Sequence, residues 1–576
     1  NDNVISTVYT NNGVTGSKTD PYFQWTVYKS VNNRYYLYNL GKEKFIGNKD
    51  ANNQAIPFVD VPTTMKLAFK KSSTPKYPIM FSTNNNGVVN HSGDHNPGIV
   101  NWTGGWSKLD DPGSNHLVEN VGELDDETLA KIESAVLNYE WNEFEGPLST
   151  TYQKLYIIDS NKHVGTSVGQ WNWNEDDWNT LAEISDFMEH FPTDKTFDNL
   201  SLIEEKLSEA ENLINKFNLP VAGKFYRIKA VSGWNDDAPY LGAKNSTAKT
   251  GRAEYVSYNG ENNKAESANT IFYYNGTGLV SYGSGNYLVN NGDFLGYNGI
   301  QTSGIDVTFS AASKGTIGAY NISFNGGARK LFVNKSNYTD AGSSTDNQDG
   351  YCFNIEEVEY LPVPMNVNAG YATLYSPVAL STYRWKSTST HRVEAYVGTI
   401  NNNGKFSMVR IDAEDGVIPA NTPVVLKYVA DAETVGNNSW VFLAVSDSDK
   451  ETPENNELNG TFADAYITDD AYVLSYVNVA EDGQPEEMEI GFYTATKNQQ
   501  SNASWLNNGF KAYLPKPEAS EARFFVFDFS GEETGITETE NGNMETENAE
   551  VYDLSGRRVQ NAKKGIFVIN GKVVVK

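Results

Sequence analysis

The pattern of apolar and polar positions alternates with a period of two over most of the chain, and it repeats. Between Lys224 and Tyr360 three strand-like openings occur: Phe225–Lys229, Gly278–Tyr282 and Tyr320–Phe324. Each is followed by a second short strand, at Tyr240-Leu241-Gly242, Tyr287-Leu288-Val289 and Leu331-Phe332-Val333. Each unit closes on an alternating run: Thr270–Tyr273, Val307–Ser310 and Phe353–Glu356. The units are roughly 40–50 residues long, the size of a supersecondary repeat. No unit of this size buries its apolar face alone, but three together close a barrel and remove the sheet edges.

The same rhythm appears earlier, through Tyr35–Gly41, Lys44–Gly47, Met65–Phe69, Tyr77–Phe81, Gly87-Val88-Val89 and His116–Val121. Phe23–Tyr28 reads as the closing strand of a preceding unit. Only 22 residues come before it. That unit is therefore expected to be compressed, or continued by residues upstream. From Glu123 the period changes to that of a helix. Leu129, Ile132 and Val136 share one helical face behind Asp125-Asp126-Glu127, acids that favour a helix start. Trp178, Leu181, Ile184 and Phe187 predict a second helix, and Leu202, Leu207, Leu213, Ile214 and Phe217 a third, stopped by Pro220. After Leu361-Pro362-Val363-Pro364 alternation returns at Tyr371–Tyr375, Val393–Val397, Val424–Lys427 and Phe524–Phe527, with turn residues between. Residues 532–550 carry seven Glu and no Lys or Arg and read as a solvated linker, before strands near Val551–Leu554 and Ile566–Ile569.

The expected architecture is thus mainly β and multidomain. The three-unit pattern resembles a β-trefoil, which implies a β-trefoil-like domain over 1–122 and a second trefoil over 223–361, with a helical spacer over 123–222 between them, then a β-sandwich-like domain over 362–537 and an acidic linker with a short β tail over 538–576.

Composition narrows the partners. The net charge is −28, so a basic face for nucleic acid is not expected, and anionic membrane surfaces are disfavoured. No run of 18 apolar residues exists to span a bilayer as a helix. The single cysteine, Cys352, sits between Tyr351 and Phe353 and reads as a buried thiol. Nothing in the pattern calls for a cofactor.

Candidate chemistry is sparse. Gly165-Thr166-Ser167-Val168-Gly169 matches the nucleophile-elbow spelling, but Gln170-Trp171-Asn172 does not read as the helix that an elbow requires. His91, Asp94 and His95 fall within five residues and are weak metal-ligand candidates on a turn. Trp102 and Trp106 flank Gly104-Gly105, where an indole stacks on a sugar face or packs under the barrel cap. Trp171, Trp173 and Trp178 read as contacts near a helix start. The strongest ligand candidate is Gly233–Tyr240. The segment resembles ricin-type lectin sites, which implies that Asp236 or Asp237 holds sugar hydroxyls and Trp234 or Tyr240 forms a platform; on the residues alone, the acids shape a turn and Tyr240 is core. Tyr297-Asn298 and Tyr338 with Asp340 occupy comparable loops.

The repeat, with its Tyr-Leu-Gly and Phe-Asn-Ile-Glu-Glu-Val phrases, resembles the β-trefoil of ricin-type lectins in secreted Bacteroidetes proteins. It departs from them in lacking a strict Gln-x-Trp signature. The phrases Ala369–Leu374, Val417–Val424 and Asn508–Leu514 resemble a β-domain that follows such trefoils, and Val551–Val559 with Lys564–Lys572 resembles a type IX sorting tail. The resemblance implies a secreted or cell-surface protein that binds a glycan or surface ligand, or the non-catalytic accessory region of a larger glycan-active enzyme. Two alternatives stay open: a glycan-directed hydrolase with its site at a domain junction, and a structural adhesin without a ligand site.

Overall fold

A computed structural model describes the chain apart from residues 1–2, 8–18, 48–53, 65, 70–78, 83–87, 92–98, 103–117, 232–239, 243–249, 257–267, 291–294, 299, 313–315, 334–338, 344–348, 367–368, 386–391, 430–439, 481–486, 498–503, 519, 530–550, 554–565, 570–571 and 576. It is mainly β, with three helices, and divides into two compact units: 1–166 with 171–217, and 167–170 with 218–576.

In the first unit the strand Asn3–Thr7 lies between Gln24–Lys29 and Val118–Glu123. The sheet continues through Tyr35–Asn39, Lys44–Ile46 and Phe58–Val59. A five-stranded sheet joins Gln54–Ala55, Ile99–Trp102, Val88–His91, Ile79–Ser82 and Lys66–Phe69.

Helix α1 (Asp126–Ser160) starts where Asp125 caps the Thr128 N–H at 2.8 Å. Its Ile132 and Val136 pack against Tyr28, Tyr36, Tyr38 and Phe45 of the sheet. α1 therefore shares a core with these strands. α2 (Glu175–Glu189) opens with a reciprocal capping box between Asn174 and Asp177, and α3 (Phe197–Ile214) with a Thr196 cap. Trp171 and Trp173 donate to the Ile214 and Leu213 carbonyls at 2.8 and 3.0 Å, satisfying the last turn of α3.

The second unit begins with a closed barrel. Lys224–Ala230 pairs with Phe272–Tyr274, which pairs with Leu279–Ser281. The Val307 N–H donates to the Thr277 carbonyl at 2.7 Å, carrying the ring on to Val307–Ala311. That strand pairs with Tyr320–Phe324, Tyr320 with Phe353, and Phe353–Glu357 returns to Lys224–Ala230. These are the first and last strands of three sequence repeats, which is the β-trefoil arrangement. Hairpins from the middle strands cap it, among them Tyr240–Gly242 with Glu254–Val256 and Arg329–Val333 with Thr339–Ser343. Ile228, Phe272, Tyr320, Phe324 and Phe353 of these strands are each almost wholly buried.

Two further sheets follow. One orders Tyr360–Pro364, Trp440–Val445, Leu380–Trp385 and Val417–Ile418. The other has nine strands, running from Tyr371–Tyr375 to Asn459–Thr461, with one parallel pair, Phe406–Arg410 beside Phe524–Asp528. A single hydrophobic cluster joins Phe225 and Tyr282 of the barrel to Leu361, Val363, Leu374 and Phe510 of the sheets. Barrel and sheets are thus welded, each buried side chain contributing roughly 1.5–3 kcal/mol. The C-terminal strands Val551–Asp553, Ile566–Ile569 and Lys572–Val575 pair with one another as a three-stranded meander, one strand more than the pattern predicts.

Candidate functional site

A cavity of about 360 Å³ opens in the second unit where the barrel meets the following sheets. One wall is the turn Gly283-Ser284-Gly285, which follows the barrel strand Leu279–Ser281, together with Asn269. The opposite wall is Asp464 with Asn508-Gly509-Phe510-Lys511, leading into the strand Lys511–Pro515. Leu374 and the half-buried Trp440 complete it.

The two walls approach closely because of glycine. Gly285 sits at φ +70, and a Cβ there would lie 2.1 Å from Asp464 Oδ1. A Cβ on Gly283 would lie 2.3 Å from Asn269 Oδ1. The Asp464 N–H donates to the Gly285 carbonyl at 2.7 Å, and Asp464 Oδ1 accepts the Gly509 N–H at 2.8 Å. Asp464 is therefore a clasp between the walls.

Phe510, next in the chain, has φ +60, an outlier for an aromatic residue that costs on the order of 1–3 kcal/mol. Its ring is held 4.7 Å from Tyr282 and 5.6 Å from Phe225, and its N–H donates to the Thr461 carbonyl at 2.7 Å. The strain sets the direction in which the strand bearing Lys511 leaves the turn. The Tyr282 hydroxyl donates to the Pro362 carbonyl at 3.1 Å, and burial pushes its pKa well above the ordinary phenol value.

Two wall residues are left chemically open. Asn269 is 5 % exposed and its Oδ1 accepts no hydrogen bond. An unmet buried acceptor costs roughly 1–3 kcal/mol. Among the described residues the Lys511 ammonium makes one hydrogen bond, Nζ donating to the Thr373 carbonyl at 3.3 Å, and no carboxylate pairs with it. Burial pushes its pKa down to about 8.

The residues singled out from sequence distribute differently. Trp234, Asp236, Asp237, Trp106, Asp94, His95 and Tyr338 lie outside the described residues. Tyr240 is 8 % exposed, its hydroxyl directed at Glu356 and its ring under Lys229 at 5.4 Å, so it serves the barrel cap. Tyr297 is fully buried. His91 and Trp102 fall on paired strands, opposite Ile99 and Val88. Asp340 is paired with Phe332. Ser167 stands exposed on a turn, its N–H bonded to Gln170 Oε1 at 3.3 Å, with no strand leading into it. Cys352 is buried. Among the described residues no group of three or more His, Cys, Asp or Glu is placed to hold a metal.

The first unit carries its own buried acid. Glu140 is wholly enclosed and accepts from Tyr36 Oη at 2.7 Å and Asn32 Nδ2 at 3.1 Å. On α3, burial raises the Glu204 carboxyl above its ordinary range, with Arg34 opposing and Glu140 adding to the rise. Both oxygens of Glu140 are committed to the fold, which marks this pair as structural.

The cavity was not among the sites expected from sequence. Its wall is assembled from segments some two hundred positions apart, and its best signals are indirect: a Gly-x-Gly turn inside the barrel repeat, and a lysine at the start of an otherwise apolar strand.

No family model matches the chain, and no curated protein matches it. Among solved structures, it is similar to a designed threefold-symmetric protein, ThreeFoil, at 14 % identity and a TM-score of 0.18, over 23 % of this chain and 99 % of that one. It is also similar to a mosquitocidal holotoxin at 8 % identity and a TM-score of 0.20, over 91 % of this chain and 51 % of that one. The chain thus spans about half the length of the toxin. Neither likeness bears on function, and the trefoil rests on its own strand pairing.

Proposed function

We propose that this chain is a secreted or cell-surface carbohydrate-binding protein, standing alone or as the accessory region of a glycan-active enzyme. The observation that supports this is the cavity between barrel and sheets. At about 360 Å³ it lies in the range of roughly 300–1,000 Å³ usual for small-molecule sites. It combines an aromatic edge at Trp440 with open polar groups at Asn269 and Lys511. Sugars are held in this way, by stacking on an apolar face and by hydrogen bonds to hydroxyls. Paired-carboxylate hydrolysis needs two acids flanking the scissile bond. Among the described residues Asp464 is the single acid in this wall, and its Oδ1 is already engaged by Gly509.

Screening the full chain on a glycan array, then titrating the hits by calorimetry, tests the proposal. Micromolar to millimolar binding is expected, equivalent to about 4–8 kcal/mol. Trp440→Ala should weaken it about tenfold or more. Array hits that are unaffected by Trp440→Ala would move the site away from this cavity.

A further inference from the structure

We infer that the sugar taken by this cavity carries a carboxylate, as a uronic or sialic acid does, with Lys511 as its counter-ion and Asn269 as acceptor for a neighbouring hydroxyl. This deepens the carbohydrate-binding reading and rests on it.

The argument is one of unmet chemistry. Lys511 is half-buried, and an ammonium drawn out of water without a counter-ion is unfavourable. Lys511 lines the cavity, yet among the described residues its Nζ bonds only the Thr373 carbonyl, at 3.3 Å. Asp464 shares the wall but is no ion-pair partner of Lys511 within 4.0 Å. Tyr282, the remaining titratable group there, is held neutral by burial and donates to Pro362. An entering carboxylate supplies the missing partner as a charge-assisted hydrogen bond, about twice as strong as a neutral one.

Asn269 asks for something different. Its Oδ1 is buried beside Gly283 and needs a donor. A carboxylate has none to give, whereas a hydroxyl on the same molecule does. Trp440, half-buried among the lining residues, would supply apolar surface for one side of a ring. One anion, one hydroxyl donor and one apolar face together describe an acidic sugar better than a neutral sugar, a phosphate or a simple carboxylic acid. The net charge of −28 does not oppose this strongly, because exposed charges are screened beyond roughly 8–10 Å at physiological salt.

The test is calorimetric titration of the full chain with methyl β-D-glucuronide, N-acetylneuraminic acid and, as the neutral control, methyl β-D-glucoside. At pH 7 at least one acidic sugar should bind tenfold or more tighter than the glucoside, about 1.4 kcal/mol. Lys511→Met should abolish that preference, and its melting curve at pH 7 shows whether it remains folded. Near pH 8, binding of the acidic sugar should take up part of a proton, read from titrations in buffers of differing ionisation heat, and the glucoside should take up none. A structural lysine would give no such uptake. Equal binding of acidic and neutral sugars, unchanged in Lys511→Met, overturns the inference and leaves carbohydrate binding standing. No binding by any sugar here or on the array overturns both.

Discussion

Lys511→Met should make the folded protein more stable at neutral pH, although it deletes a hydrogen bond. Lys511 is held at about 8 against an ordinary 10.5, because burial penalises its charge. That gap corresponds to roughly 3 kcal/mol against the charged form. Below pH 8 both folded and unfolded chains carry the proton, so the folded state bears the whole penalty. Between about 8 and 10.5 the folded state loses its proton first, and stability rises with pH. Above that range both are neutral and the penalty is gone. Methionine keeps most of the stem and drops the charge; the lost Thr373 contact, at 3.3 Å, is long. A net gain of about 1–3 kcal/mol is expected at pH 6.5, shrinking towards zero near pH 11. A chain of several domains does not unfold in one step. The assay is therefore hydrogen exchange across a urea series, read on peptides carrying Lys511–Pro515, at both pH values. Buried tyrosines also alter stability above pH 10, but equally in both proteins. If Lys511→Met were less stable at pH 6.5, or gained the same amount at both pH values, the unpaired-cation account would be refuted.

Gly285→Ala places a methyl 2.1 Å from Asp464 Oδ1 at φ +70, so it should cost about 1–3 kcal/mol and loosen the clasp, read as a lower midpoint on the same peptides. Tyr36→Phe removes the 2.7 Å donor from the enclosed Glu140 and should cost the first unit about 1–3 kcal/mol in urea unfolding, where a neutral result would show the acid to be hydrated. Burial pushes the Asp177 carboxyl up, but Lys216 Nζ at 2.5 Å and the Asn174 N–H at 3.0 Å outweigh it and hold the pKa below the ordinary range. Its contribution is present above about pH 4 and lost as pH falls through the depressed value. Asp177→Asn should cost about 1–2 kcal/mol at pH 7, Lys216 being partly exposed, and little below pH 3; an acid-unfolding curve unchanged from wild type would contradict this.

The barrel could be read ahead of the structure because its information is local and repeated. Phe225–Lys229, Gly278–Tyr282 and Tyr320–Phe324 each announce a strand, and three copies demand closure. The helices were legible where one face is apolar, at Ile132 and Val136, but not in length. α1 runs on through Gly146-Pro147, where a proline ordinarily ends a helix. Phe144 and Leu148 are buried on either side of that point, so packing overrides the breaker. Trp178 was expected on the buried face of α2 and is 40 % exposed, its ring edge-on to Trp173 at 5.2 Å. The cavity was illegible for the opposite reason. Asn269, Asp464 and Lys511 are unremarkable in their own neighbourhoods, and only the fold shows that Asn269 Oδ1 accepts no hydrogen bond and that Lys511 has no carboxylate partner among the described residues. Tyr240, read from sequence either as a platform or as core, is 8 % exposed on the strand Tyr240–Gly242.

The central claim is that the cavity walled by Asn269, Trp440 and Lys511 receives a sugar. Heteronuclear NMR of full-length chain labelled at the lysine side chains tests it most directly, with the Lys511 resonance assigned by Lys511→Met. The account predicts that adding methyl β-D-glucuronide or N-acetylneuraminic acid shifts this resonance and raises its titration midpoint from about 8 towards the ordinary lysine value. A Lys511 signal unmoved by saturating amounts of every sugar that the chain binds would contradict it.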